Sequence, residues 1–187
     1  MTRKRKKGLL RVSEMGAKKG LWMVVAVFLL ALAFCAVVGR AEAAEYFPKF
    51  SSQTLDGKNV TNAVFSGKKL TMVNIWATWC PPCVGEMPDL GRLGASMPKG
   101  TQLIGLLLDA DDSGAIQKAK TILSKAKADF LQIRPSKEMS SYLNTVEAIP
   151  TTVFVDSEGR IVGEPLVGAH SEKAYRAEIE KALKQLR

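Results

Sequence analysis

The strongest constraint on the fold comes from an apolar run that ends shortly before two closely spaced cysteines. Leu70–Trp76 (LTMVNIW) is short and partly β-branched, which favours a buried strand. Cys80-Pro81-Pro82-Cys83 follows, and Met87, Leu90 and Leu93 then share one face of a predicted helix. A strand, a turn with two cysteines and a helix therefore succeed one another, which is the usual context of a redox C-x-x-C pair.

Strand and helix patterns alternate through the rest of the chain. Asp56-Gly57 within Phe47–Val64 predicts an N-terminal β-hairpin. Further strands are predicted at Gln102–Leu108, Asp129–Ile133, Thr151–Val155 and Arg160–Val167, and helices over 116–126, at Lys137–Leu143 and from Ser171 through Tyr175, Ile179, Ala182, Leu183 and Leu186. This order predicts a single α/β domain with a central mixed β-sheet flanked by helices.

The positive charge is concentrated at the N-terminus. Of the 187 residues, 47% are hydrophobic and 24% charged, which is a globular composition, and the net charge is +9. Residues 1–43 hold nine Lys and Arg against two acids, whereas the remainder holds 18 basic and 16 acidic side chains. The folded part is nearly neutral, so a strongly basic nucleic-acid-binding domain is excluded.

The N-terminal segment has the pattern of an export signal. Leu21–Val38 is free of charge, and as a helix it would span about 27 Å, close to the hydrocarbon thickness of a bilayer. Basic residues precede it, and Ala41-Glu42-Ala43 offers a signal-peptidase site. Residues 1–20 are therefore predicted to be a basic cytoplasmic region, 21–43 a signal peptide or a membrane anchor through 21–38, and 44–187 an extracytoplasmic domain, either periplasmic or on the outer face of the inner membrane.

Cys80 and Cys83 are the only cysteines in this domain, and their position favours redox chemistry. At a helix N-terminus, unpaired N–H groups and the helix dipole stabilise a thiolate at Cys80, which makes its sulfur both a nucleophile and a good leaving group. Trp79 is predicted to shield one side of the pair. Pro81 and Pro82 stiffen the turn, but they also remove N–H groups that could have bonded the sulfur.

Other interpretations of the pair are weaker. A structural zinc site needs four ligands, and His170, predicted to be a solvated surface residue, is the only histidine. An inert disulfide remains open, although so short a loop constrains little chain. The acidic residues Asp109, Asp111 and Asp112 lack the spacing of a calcium site and predict a polar loop before a helix. No metal and no cofactor is predicted.

Two longer motifs carry a family resemblance. VNIWATWCPPCVGEMPDL (Val73–Leu90) and AIPTTVFVDSEGRIVGEPLVG (Ala148–Gly168) resemble the thioredoxin fold, and more narrowly the exported TlpA/ResA-like thiol-disulfide oxidoreductases, relatives of the redoxins. That group includes thioredoxins of cytochrome c biogenesis. The resemblance covers residues 47–187 and implies an inserted βα unit near 102–127.

The resemblance also implies roles for individual residues. Cys80 would attack and Cys83 would resolve, the two forming a redox-active disulfide. Pro150 matches a cis-proline beside the disulfide, which leaves the Ile149 backbone free to pair with an extended substrate. With Trp79, Pro81 and Pro82, these two residues form the predicted substrate-binding surface. Pro88 matches a proline that kinks the active-site helix.

Glu86 is the third predicted catalytic residue. In ResA-like proteins a glutamate at this position is buried beneath the cysteines and shapes their proton chemistry. Thioredoxin instead has a buried aspartate on the preceding strand, where this chain has Asn74, which does not titrate. The hypothesis is that Glu86 relays protons to Cys83, with its pKa raised by burial and by a nearby thiolate.

The predicted function is a thiol-disulfide oxidoreductase that reduces protein disulfides. The resemblance suggests apocytochrome c or a copper-assembly protein as substrate, and a membrane thiol-electron transporter as the source of electrons. A disulfide-donating oxidase would use the same residues. A thiol peroxidase would need Thr-x-x-Cys, and Thr78-Trp-Cys80 is one residue short. A non-catalytic copper-assembly module would use Cys-x-x-x-Cys, although two thiolates can still hold copper(I).

Overall fold

The central strand of the protein is the apolar run before the two cysteines, and all seven of its residues are buried. The computed structural model describes residues 45–186, so the predictions for residues 1–20 and 21–43 lie outside it. The strands are β1 Ser51–Gln53, β2 Asn59–Thr61, β3 Leu70–Trp76, β4 Thr101–Leu107, β5 Leu131–Ile133, β6 Thr151–Asp156 and β7 Leu166–Val167. The α-helices are α1 Pro81–Ala95, α2 Ser113–Ala126, α3 Ser140–Leu143 and α4 Glu172–Gln185, with short 3-10 helices at Asn62–Phe65 and Lys137–Met139.

The main sheet is mixed, as predicted, with strand order β5-β4-β3-β6-β7. Strands β3, β4 and β5 are parallel, whereas β6 runs antiparallel to β3, and β7 antiparallel to β6. The predicted hairpin forms a separate two-stranded sheet, which a bridge between Thr54 and Ile133 connects to the main sheet. Strand β4 and helix α2 are the predicted βα insertion.

Alternate residues of β3 serve two hydrophobic cores. Met72 and Trp76 face the layer that contains α1, α2 and α4. Val73 and Ile75 face the opposite layer, which contains the N-terminal segment, the 3-10 helices and α3. The sheet is therefore covered on both faces, which is why its central strands are apolar throughout.

The predicted strand Arg160–Val167 is wrong over most of its length. Within this range, Ile161 pairs with the sheet through an isolated bridge to Val155. The only other residues of the range that pair with the sheet are the two of β7. Gly163 lies between them at φ +73°, a left-handed conformation that interrupts a strand, and Pro165 has no N–H to donate.

Leu186, predicted on the buried face of the last helix, follows the helix end and is partly exposed. No helix within residues 45–186 has the length and apolar character needed to cross a membrane.

Two glycines of α1 provide a matched test of how this helix packs. A Cβ at Gly91 would lie 2.5 Å from the carbonyl oxygen of Ala126, whereas a Cβ at Gly85 would meet nothing within 4 Å. We expect Gly91→Ala to lower the free energy of unfolding by about 1–3 kcal/mol, because backbone must move. Gly85→Ala should raise it by up to about 1 kcal/mol, since alanine is the better helix former. Urea denaturation of the oxidised protein measures both, and equal effects would contradict the close contact of α1 with the end of α2.

Candidate active site

The cysteine pair lies where the chain turns from β3 into α1. Cys80 is the N-cap residue of α1, and Cys80 and Cys83 form a disulfide. Pro81 and Pro82 occupy the first helical positions, where a helix leaves its N–H groups unpaired in any case. The N–H of Cys83 is therefore the first one available, and it donates to the Cys80 sulfur at 3.3 Å. This bond and the helix dipole favour a thiolate at Cys80 once the disulfide is reduced.

The surroundings of the pair distinguish its two sulfurs. Cys83 is fully buried, whereas Cys80 keeps a small exposed fraction. Pro81 and Pro82 are exposed, and Trp79, predicted to shield the pair, is 65% exposed because it lies in the turn outside the core. A partner therefore reaches the pair from the side of Cys80, past an apolar exposed rim.

The loop before β6 completes this side of the site. The Ile149–Pro150 peptide bond is cis, as the resemblance implies, and Pro150 is buried. The carbonyl oxygen of Ile149 lies 3.6 Å from the Cys80 sulfur, although the residues are 69 positions apart in sequence. Within residues 45–186, neither the N–H nor the carbonyl of Ile149 makes a backbone–backbone hydrogen bond. Both groups are therefore available to an extended segment of a partner.

Glu86 lies one helical turn after Cys83 and is 3% exposed. Its carboxylate accepts hydrogen bonds from the Asn74 amide at 2.9 Å, the Tyr175 hydroxyl at 2.7 Å and the backbone N–H of His170 at 3.1 Å. Burial raises the pKa of Glu86, and these three hydrogen bonds offset part of the rise. Burial and the neighbouring carboxylate raise the pKa of Tyr175, so its hydroxyl remains a donor.

The partners of Glu86 were only partly accessible to sequence reasoning. The helical spacing predicts Tyr175 as a core residue, and a buried tyrosine requires a hydrogen-bond partner for its hydroxyl. The sequence therefore indicates that a partner exists, but not that it is Glu86. His170, predicted to be a solvated surface residue, is half-buried, and its ring packs edge-on against Tyr175 with the centroids 5.6 Å apart. His170 donates to Glu86 through its backbone N–H. Every residue except proline has this group, so the residue type does not predict the bond.

A second set of hydrogen bonds holds the turn that leads to Cys80. Asp109, at the end of β4, accepts from the N–H of Thr78 at 3.2 and 3.3 Å and from its hydroxyl at 2.6 Å. The prediction of a polar loop before a helix at Asp109, Asp111 and Asp112 is confirmed. Asp112 caps α2 by accepting from Gly114, whereas Asp109 connects the loop to the active-site turn. In the described part of the chain, no group of three or more His, Cys, Asp and Glu side chains could hold a metal ion.

Comparison with known proteins identifies the family. Residues 42–183 match the Redoxin family. The chain belongs to that family. A thiol:disulfide interchange protein DsbE homolog from Paracoccus denitrificans is 33% identical over 153 residues, covering 79% of this chain and 78% of that protein. The thiol-disulfide oxidoreductase ResA from Bacillus cereus is 28% identical over 135 residues, covering 72% of this chain and 75% of that protein.

Solved structures agree with the fold. The crystal structure of a thiol:disulfide interchange protein of the thioredoxin family from Chlorobium tepidum superimposes with a TM-score of 0.62 at 25% identity, covering 75% of this chain and 97% of that one. StoA from Bacillus subtilis, at 20% identity, gives a TM-score of 0.57 over 70% of this chain and 96% of that one. The predicted thioredoxin-like fold is confirmed. The protein is a thiol-disulfide oxidoreductase of the ResA/DsbE type, and the interpretation of the pair as an inert disulfide is set aside.

Substitutions at Asp109 and Thr78 test how the turn is held. Asp109→Ala removes the acceptor of all three hydrogen bonds and should lower the free energy of unfolding by about 1–2 kcal/mol. Thr78→Val removes only the hydroxyl bond, so about 0.5–1.5 kcal/mol is expected. Thr78→Ser keeps every donor and serves as the control. Denaturation of the oxidised proteins gives the comparison, and a Thr78→Val variant as stable as Thr78→Ser would show that the hydroxyl bond contributes nothing.

Proposed function

We propose that this oxidoreductase reduces disulfides of extracytoplasmic proteins, with Cys80 as the attacking residue and Cys83 as the resolving one. The observation that carries the assignment is the hydrogen bond from the Cys83 N–H to the Cys80 sulfur at the start of α1, because it stabilises negative charge on the less buried sulfur. Cys83 is fully buried, so a partner disulfide cannot reach its sulfur.

The reaction transfers two electrons in two exchanges. The Cys80 thiolate attacks one sulfur of the partner disulfide, a mixed disulfide forms, and the other partner sulfur leaves as a thiolate that takes up a proton. Cys83 then loses its proton and attacks the Cys80 sulfur, which releases the first partner sulfur. The partner ends as a dithiol and the enzyme as the Cys80–Cys83 disulfide observed in the structure.

The surface around Cys80 suits an extended protein segment. The N–H and carbonyl of Ile149 offer pairing to a partner backbone, and Pro150 beside them is buried. The exposed Trp79, Pro81 and Pro82 provide apolar contact on the other side of the pair. These five residues form the proposed substrate-binding surface.

The proposed location and partners rest on the N-terminal sequence and on the family. The basic region, the uncharged run and the A-x-A site within residues 1–43 favour export, with or without a retained anchor, so the N-terminus would stay in the cytoplasm if anchored. Apocytochrome c and copper-assembly proteins are the proposed substrates. A membrane thiol-electron transporter would then return the disulfide to the dithiol.

The competing functions differ in measurable ways. A disulfide-donating oxidase would use the same residues, and the reduction potential decides between the two: about −270 mV marks a reductant and about −120 mV an oxidant. A thiol peroxidase is disfavoured because the Thr78 hydroxyl donates to Asp109. A copper-assembly module would retain copper(I) after isolation under reducing conditions, which metal analysis detects.

Trapping the mixed disulfide tests the order of attack. Cys83→Ser should accumulate a covalent complex with a disulfide-containing protein substrate, because no second thiol remains to resolve it. Cys80→Ser, which removes the same number of thiols, should trap no complex, since the remaining thiol is fully buried. Non-reducing electrophoresis followed by mass spectrometry of the crosslink measures both. A crosslink through Cys83 in the Cys80→Ser variant would reverse the assigned roles.

Glu86 is proposed as the group that exchanges protons with Cys83. The buried oxygen Oδ1 of Asn74 has no hydrogen-bond partner within the described residues. A half-turn of the Asn74 amide would bring that oxygen to the carboxyl group, where it could accept a hydrogen bond from neutral Glu86. The surroundings of Glu86 are thus compatible with both protonation states, as a proton relay requires.

The pH dependence of the thiols tests this relay. Burial raises the pKa of Glu86 above its ordinary value of 4.5, so the wild type should show an inflection above that value in the pH dependence of its reduction rate. Glu86→Gln should abolish the inflection and lower the pKa of Cys83, because a negative charge no longer opposes the thiolate. Tyr175→Phe removes a hydrogen bond that lowers the Glu86 pKa, so its inflection should move to higher pH.

Stopped-flow reduction rates and the ultraviolet absorbance of the thiolate measure these effects. Unchanged thiol titration and an unchanged rate profile in Glu86→Gln would exclude the relay. An inflection that moves downward in Tyr175→Phe would show that a different group titrates.

A further inference from the structure

A small cleft opens beside the loop that carries Ile149 and Pro150. It encloses about 250 Å³, and its walls include Tyr142, Ala148, Ile161 and Val167. Cofactor and drug-sized ligand pockets usually occupy about 300–1,000 Å³, so this cleft suits a single side chain better than a cofactor. We call it the acidic cleft, because Glu45 and Glu147 are the only charged residues that line it.

The acidic cleft adjoins the reactive pair. Ala148, in its wall, directly precedes Ile149, whose carbonyl oxygen lies 3.6 Å from the Cys80 sulfur. Val167, which also lines the cleft, pairs with Thr151 at the start of β6 and is 59% exposed. When a partner segment pairs with the Ile149 backbone, the residues next to the partner's cysteine therefore pass the mouth of the acidic cleft.

Within the part of the chain that the structure describes, no ion pair balances the charge of the cleft. No basic residue lines it, and among residues 45–186 neither Glu45 nor Glu147 lies within 4 Å of a cationic nitrogen. Burial and the negative charge of Glu45 raise the pKa of Tyr142 to about 12, so its hydroxyl stays neutral. Apolar walls with carboxylates match the aliphatic stem and charged head of lysine or arginine.

The groove on the other side of the pair has the opposite character. It is lined by Trp79, Pro81, Val84 and Ile122 together with Lys118, and it contains no acidic residue. Among the residues that line this groove, a basic side chain of a bound segment meets Lys118, whereas on the side of Ile149 it meets two carboxylates. The two sides together would set the direction in which a charged segment lies across Cys80.

We propose that the acidic cleft is a specificity site, which receives a lysine or arginine side chain near the disulfide of the protein substrate. This inference rests on the proposed function, since it assigns a substrate preference to the same site. It predicts that substrates carry a basic residue within a few positions of the reactive cysteine on one side only.

A lysine scan of model substrates tests the cleft. Each probe is a short Gly/Ser peptide with one central cysteine, held as a mixed disulfide with the neutral thiol 2-mercaptoethanol. A single lysine, or a single glutamate, is placed at each position in turn on either side of the cysteine. At the position that reaches the cleft, we expect kcat/KM to be about 2- to 5-fold higher for the lysine peptide than for the glutamate peptide, the range of an exposed ion pair.

Charge variants connect the preference to the cleft. Glu147→Gln should weaken the preference at that position and Glu147→Lys should reverse it, and added salt should reduce it. Glu180→Gln, an exposed residue of α4 outside the cleft, changes the net charge equally and should leave the preference intact. Equal rates for lysine and glutamate peptides at every position, or equal loss in Glu180→Gln and Glu147→Gln, would overturn the cleft while leaving the proposed function in place. A wild type that reduces none of the peptides, including the uncharged one, would overturn both.

Discussion

The buried carboxylate of Glu86 is the interaction on which the arrangement of the active site depends. A carboxylate inside an apolar core is unfavourable unless hydrogen bonds replace its hydration. Here Asn74 comes from β3, His170 from the segment before α4 and Tyr175 from α4 itself, so one side chain of α1 ties three other parts of the fold together. Hydrogen bonds to a charged group contribute roughly 1.5–3 kcal/mol each. Unlike apolar contacts, they are directional, so they fix the position of the Glu86 side chain.

This network sets the rotation of α1, and through it the unequal positions of the two cysteines. With Glu86 turned into the core, Cys83 one turn earlier on the same face is also buried. Cys80, the N-cap residue, then stands at the edge of the helix, where the Cys83 N–H points at its sulfur. The remaining walls come from neighbouring strand ends, since Asp109 follows β4 and Pro150 precedes β6. A parallel pair beside an antiparallel strand brings all of these ends to one edge of the sheet.

The parts of the site that the sequence predicts are those encoded by local patterns. The burial of Leu70–Trp76, the cysteine turn and the helix after it follow from periodicity and spacing within a few residues of one another. Hydrogen bonds between distant residues leave no such pattern. Thr78 and Asp109 are 31 positions apart, and Glu86 and Tyr175 are 89 apart, so a helical repeat shows which face Tyr175 buries but not which group its hydroxyl meets. The failed strand at Arg160–Val167 has a local origin, because Gly163 and Pro165 interrupt residues that otherwise have strand propensity.

The unequal environments of the cysteines also explain how the proposed exchange can run to completion. In the dithiol, a thiolate at Cys80 is favoured by the helix N-terminus, whereas a second thiolate at buried Cys83 would face both the first one and the Glu86 carboxylate. In the proposed mechanism the dithiol keeps one proton, which Cys83 holds. When Cys80 enters the mixed disulfide, its negative charge disappears, and the main electrostatic opposition to a Cys83 thiolate disappears with it. In this proposal the charge on Cys80 couples the capture of the partner to its later release, and Glu86, whose pKa burial raises, takes the proton of Cys83.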